Sequence, residues 1–131
     1  MRMWMVDPKE LCTRHLLGEH GELHKFIPTF NKKHKIDNRI FPVVQIELTS
    51  YQARHDVLAN EILRREMNHN SPLPALPDFS YLPKYQYEAK VNIDISIRDL
   101  HFRCEDCRKA SSGLFRNVVS TKAGVKHRES M

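Results

Sequence analysis

Glycine is scarce, at four of 131 positions, and tryptophan occurs once. With 40% apolar and 28% charged residues, this composition excludes a disordered or low-complexity chain. Long apolar runs are also missing. Stretches such as Ile40 to Val44 are far too short to cross a bilayer, and Met1 to Asp7 is too short for a signal sequence. A cytoplasmic protein with no membrane partner is expected. Cysteine is limited to Cys12, Cys104 and Cys107, an odd set that cannot build a secreted disulfide framework and suits a reducing compartment. No internal repeat is present, and the length excludes a second catalytic domain.

What is present is basic. Lysine and arginine outnumber the acids 21 to 16, for a net charge of +5, which favours polyanionic partners. Asp7-Pro8 followed by Glu10 reads as the start of a first helix at Pro8. At about 100° per residue, Cys12, Leu16, Leu23, Phe26 and Ile27 share one arc of it, with His15, Glu19 and Glu22 along the margin. Gly18 and Gly21 each cost about 1 kcal/mol against alanine inside a helix, so they bend it or admit something close to its backbone. Pro28 is expected to end or kink it. Asn31 to Arg39 reads as a basic surface loop.

A capping box of Thr49 and Gln52 opens a second helix, which carries Tyr51, His55, Leu58, Ile62 and Arg65 and runs to about Met67. Pro72, Pro74, Pro77 and Pro83 make the next stretch a helix-free connector pinned by Phe79, Tyr81, Tyr85 and Tyr87. A third helix runs from Ile93 or Asp94 to about Ala110, although Ile93 and Ile95 are also compatible with a strand. The expected fold is all-α, a single compact domain of about three helices with long ordered loops. It covers residues 1–110 and is followed by a polar, basic tail over 111–131.

The run Arg14-His15-Leu16-Leu17-Gly18-Glu19-His20-Gly21-Glu22-Leu23-His24-Lys25 resembles the pyrimidine-dimer DNA glycosylases. So do the Met1-Arg2-Met3-Trp4 start, the Asn68-His69-Asn70-Ser71-Pro72-Leu73 segment and Arg103-Cys104-Glu105-Asp106-Cys107-Arg108. The resemblance spans residues 1–108. It implies a DNA repair enzyme of a bacterial or phage-infected cell, a glycosylase with abasic-site lyase activity, acting as a monomer on damaged or modified double-stranded DNA without a cofactor or metal.

By that resemblance the nucleophile is the α-amine of Met1, retained because Arg2 is bulky, and Glu22 is its catalytic partner. The chemistry suits the group: an α-amine has a pKa near 8 against about 10.4 for lysine, so a useful fraction is neutral at neutral pH. Glu22 would stabilise positive charge on the sugar and then move the proton whose loss breaks the strand. Expected DNA contacts are Arg2, His15 held by Glu19, Gly21, Lys25, Lys32, Lys33, Asn68, His69 and Ser71, with Lys35 and Arg39 adding charge. Solvated charge is the alternative meaning of the lysines, and helix capping the alternative for the His69 segment. Glu19→Gln is expected to be mild.

Two departures stand out. Gly21 occupies the position of a strand-gripping arginine in the best-known members, and their aromatic C-terminal tail is not recognisable. The lesion could therefore be an ultraviolet photoproduct, another modified base or an abasic site. A non-catalytic nucleic-acid-binding protein on the same scaffold is the alternative function. Cys104 and Cys107, with His101 nearby, invite a zinc reading, but these three donors share one expected helix and no second cysteine pair exists, which favours core-facing thiols.

Overall fold

A computed structural model describes residues 2–69 and 72–111. Those residues form an all-helical domain in which α1 (Thr13–Lys25) packs along α4 (Tyr51–Arg64). Of the smaller helices, α2 (Ile27–Asn31) packs against α1, while α3 (Asp37–Ile40) and α5 (Lys84–Tyr87) are joined by Gln86 donating to Asp37 at 2.7 Å. Helices α6 (Ile93–Arg103) and α7 (Glu105–Ser111) close the end nearest the start of α1. No strand occurs among the described residues, and no helix there is long and apolar enough to cross a membrane.

More helices form than the three expected, and each extra break has a local cause. Asp7 does cap a turn, accepting from the Lys9 amide at 3.0 Å, but that turn is a 3-10 segment, Pro8–Glu10, ended by extended Leu11. The first α-helix starts later, at Thr13, with the Cys12 sulfur accepting from the His15 amide as its N-cap. Pro28 kinks that helix as expected: without an N–H it cannot bond the His24 carbonyl, so α1 breaks at Phe26 and the chain resumes as α2 with Pro28 in its first turn. The expected third helix is two, because Cys104 is extended (φ −139°, ψ 106°) between α6 and α7. The Thr49–Gln52 capping box does not form: Thr49 accepts from Lys90, Gln52 donates to Asp56, and a 3-10 turn over Leu48–Ser50 leads into α4.

Gly18 and Gly21 leave α1 unbroken, and a Cβ at either would meet nothing within 4 Å. The core arc holds as expected, with Cys12, Leu16, Leu23 and Ile27 buried and Phe26 packed against them. Across the core, Phe30 meets Phe79 edge-on at 5.0 Å, and the Tyr51 hydroxyl donates to the Leu23 carbonyl at 2.5 Å. Phe79 pins the connector, assisted by Tyr81 donating to the His34 carbonyl, whereas Tyr85 and Tyr87 are exposed. The 31–39 stretch is not all loop: Ile36 and Ile40 are buried and anchor α3.

The deepest polar contact joins three segments. Arg54 of α4 donates from Nε and Nη2 to the two Glu19 oxygens at 2.6 and 2.9 Å, and from Nη1 to the Val6 carbonyl at 2.7 Å. Both residues are buried. Glu19→Gln would leave a buried guanidinium without its counter-charge, so it is expected to destabilise by about 3–5 kcal/mol in urea unfolding. A variant as stable as the parent would show that the pair carries nothing. Conversely, Gly21→Ala should stabilise α1 by about 1 kcal/mol, since the added methyl has space.

Candidate active site

One open cleft of about 420 Å³ is lined from four parts of the chain. Arg2 and Trp4 come from the N-terminal segment, and Arg14, His15, Gly18, Glu19 and Glu22 from α1. Arg39 and Gln45 form another side, and Arg103 at the end of α6 completes it. The N-terminal segment is fixed alongside by a Met3 amide bond to the Gln45 carbonyl at 2.7 Å.

The only tryptophan organises the cationic wall. Trp4 is buried with the Arg2 guanidinium 4.2 Å above its ring centroid, Arg103 at 5.7 Å and the His15 ring edge-on at 5.9 Å. Arg2 also bonds Asp99 at 3.0 Å, which holds that carboxyl below the usual carboxylate range. Opposite, Arg39 lies 5.6 Å from the Phe26 centroid and donates to Gln45 at 3.4 Å. Four arginines thus face two carboxylates. Glu19 is neutralised by Arg54, whereas Glu22 is half-buried in the lining, and burial with the Glu22 charge raises the Tyr51 phenol above its ordinary range.

Of the residues expected at the site, Arg2, His15, Glu19 and Glu22 line this cleft, as does Arg39, expected to add charge. Met1 and Ser71 lie outside the described residues. Lys25, Lys32, Lys33 and Asn68 are exposed away from the lining, and Gly21 is half-buried outside it. Glu19 does not hold His15. The His15 Nδ1 lies instead 3.3 Å from the Cys12 sulfur and 3.4 Å from that of Cys107. Arg14, Gln45 and Arg103 were not singled out by sequence, because nothing local distinguishes a cleft arginine from a solvated one.

Two further clusters adjoin the same helix. Cys12, His15, Cys104 and Cys107 bring their donor atoms within 4.8 Å of one another, and so do His20, His24, His55 and His69. The objection to a cysteine metal site, that its donors share one helix, does not apply: Cys12 and His15 complete the set and His101 takes no part. Hydrogen bonds with Cys107 and His15 pull the Cys12 thiol well below its ordinary range, against burial. Burial and the neighbouring imidazoles push His20 down to about 4, so it is neutral at neutral pH. His69 belongs to this second group rather than to the cleft.

Compared with known families, residues 1–75 match the pyrimidine dimer DNA glycosylases. The chain belongs to that family. The matched region holds α1 with Glu22, the N-terminal segment, Arg39 and α4; Arg103, Cys104 and Cys107 lie beyond it. Comparison with curated proteins and with solved structures returns no match. A DNA repair glycosylase has a DNA substrate, so an arginine-lined cleft is matched by a phosphate backbone. Arg103→Ala is expected to weaken binding to undamaged duplex and to lower the slope of log affinity against log salt by about 1, read by fluorescence anisotropy across a salt series. An unchanged slope would remove Arg103 from the DNA contacts.

Proposed function

We propose that this glycosylase is bifunctional, with the α-amine of Met1 as nucleophile and Glu22 as its proton-transfer partner. The observation that carries this reading is that Arg2, covalently next to Met1, and Glu22 line one arginine-rich cleft. A damaged nucleotide turned out of the stack would bring its sugar to that cleft, with the flanking phosphates on the arginines.

The amine nitrogen forms a bond to the sugar carbon that bears the base, and the base departs with the pair of electrons of the broken bond. Opening of the sugar ring gives an imine. Glu22 stabilises the cationic carbon and then removes the proton next to it, so that electrons move to expel the 3′ phosphate by β-elimination. Arg2, His15 and the other cleft arginines hold the backbone, Glu19 supports the wall through Arg54, and Lys25, Lys32, Lys33 and Asn68 extend the contact beyond the cleft, with Ser71 a further proposed DNA contact. Gly21 leaves open space where relatives carry arginine, which bears on the choice of lesion.

Borohydride is expected to trap a covalent complex with abasic duplex, and peptide mapping to place the adduct on Met1. An adduct on a lysine would overturn the assignment, and a failure to trap any adduct would favour the non-catalytic binding protein. Glu22→Gln, similar in volume, should fold and bind abasic duplex but lose strand cleavage by about 10²–10⁴-fold. Cleavage at the parental rate would remove Glu22 from the mechanism.

A further inference from the structure

The cysteine cluster has the dimensions of a metal site. A tetrahedral zinc ion, with bonds near 2.3 Å to sulfur and 2.0–2.1 Å to nitrogen, sets its ligands about 3.8 Å apart for two sulfurs and about 3.5 Å for sulfur and nitrogen. Here Cys12 and Cys104 sulfurs are 3.9 Å apart, and His15 Nδ1 stands 3.3 and 3.4 Å from Cys12 and Cys107. The donors come as two matched pairs, Cys12-x-x-His15 and Cys104-x-x-Cys107. In each pair the first sulfur accepts the backbone N–H three residues on, at 3.4 Å. Cys107 accepts from the Cys12 amide at 3.3 Å and Cys104 from Arg14 at 3.6 Å. All three sulfurs thus receive N–H donors, the environment a thiolate requires.

The histidine cluster stands on separate observations. Four imidazoles on one zinc ion would set their nitrogens about 3.3 Å apart. His55 Nε2 is 3.2 Å from His20 Nε2 and 3.2 Å from His24 Nε2. His69 packs on His20 and His55 with ring centroids at 4.8 and 5.3 Å, and its Nε2 is buried with no hydrogen-bond partner. The Nδ1 of His55 sits 3.0 Å from Asp56, a carboxylate that fixes the ring and leaves Nε2 as a lone-pair donor.

We propose that each tetrad binds one zinc ion, the first through three thiolates and one imidazole, the second through four imidazoles. Three thiol protons leave to solvent as the first site fills. Four protein ligands leave no open position, so both ions are structural. The first joins the start of α1 to Cys104, between α6 and α7, and to Cys107 in α7, and thereby holds two cleft arginines in place, since Arg14 lies between two ligands and Arg103 directly precedes a third. The second joins α1 to α4 and to the chain beyond it.

The full chain, purified without chelator, is expected to carry about two equivalents of zinc by elemental analysis. Exchange with cobalt(II) should give the strong visible bands of a tetrahedral ion together with thiolate-to-metal charge-transfer absorption. Cys107→Ser should lose that absorption and about one equivalent; His24→Gln should lose about one equivalent and retain it. Should either variant fail to fold, the parent chain still decides, because its thiols should react with a disulfide reagent only after a chelator is added. A parent chain that takes up neither ion overturns both sites. Bound cobalt without thiolate absorption overturns the cysteine site, and unchanged stoichiometry in His24→Gln overturns the histidine site.

Discussion

The bidentate bond between Arg54 and Glu19 is the contact on which the geometry of the cleft depends. It pairs two charges that are each too costly to bury alone, and its third donor reaches the Val6 carbonyl, so one guanidinium sets the distance between α4, α1 and the N-terminal segment. Glu19 stands one turn before Leu23 and three residues before Glu22. Fixing it therefore fixes the face of α1 presented to Arg2 and Trp4. A second arginine reinforces this arrangement at the other end of α4: Arg65 donates to the Leu11 carbonyl at 2.7 Å and, at 3.1 Å, to the Pro8 carbonyl that also accepts the Leu11 amide closing the 3-10 turn.

Helix α1 divides its circumference among distinct tasks. At about 100° per residue, Leu16 and Leu23 fall on one line and enter the core. Glu22, His15 and Gly18 fall to one side and line the cleft, while His20 and His24 fall to the other and meet His55. Glu19 sits at the boundary between core and cleft, which explains why it lines the cavity yet is buried. With Gly18 exposed in the lining and no atom near the Cβ it would carry, the cleft floor is left open to an incoming backbone.

The all-helical class and the core arc of α1 were legible because apolar periodicity is a local property. Glu22 was legible because its surrounding run matches a family; as an isolated glutamate it has no distinguishing mark. The helix count was underestimated at points where side chains intervene in the backbone. Cys12 and Cys104 act as caps through sulfur, a role that no propensity assigns: the first starts α1 later than the apolar pattern suggests, and the second divides the expected third helix in two. The partners of Glu19 and His15 were misjudged for another reason. Helical spacing placed them together one turn apart, but Glu19 pairs with Arg54, 35 residues away, and His15 stands between Cys12, three residues back, and Cys107, 92 residues away. Contacts of that range leave no trace in spacing.

The same long-range closure explains why the family match alone does not complete the cleft. Residues 1–75 supply Glu22 and three of the arginines, but the fourth comes from the end of α6. Gathering these cations around one cavity costs repulsion, and the structure limits it in identifiable ways. Trp4 offers its ring to Arg2 and Arg103, Phe26 offers its own to Arg39, and Asp99 and the Cys104 sulfur take donors from Arg2 and Arg14. Rings and sulfur accept a guanidinium without cancelling its charge as a carboxylate would, so most of the field stays available. In the proposed complex a phosphate chain entering the cleft would relieve the remaining repulsion, and Glu22 in its lining would then face a sugar rather than water.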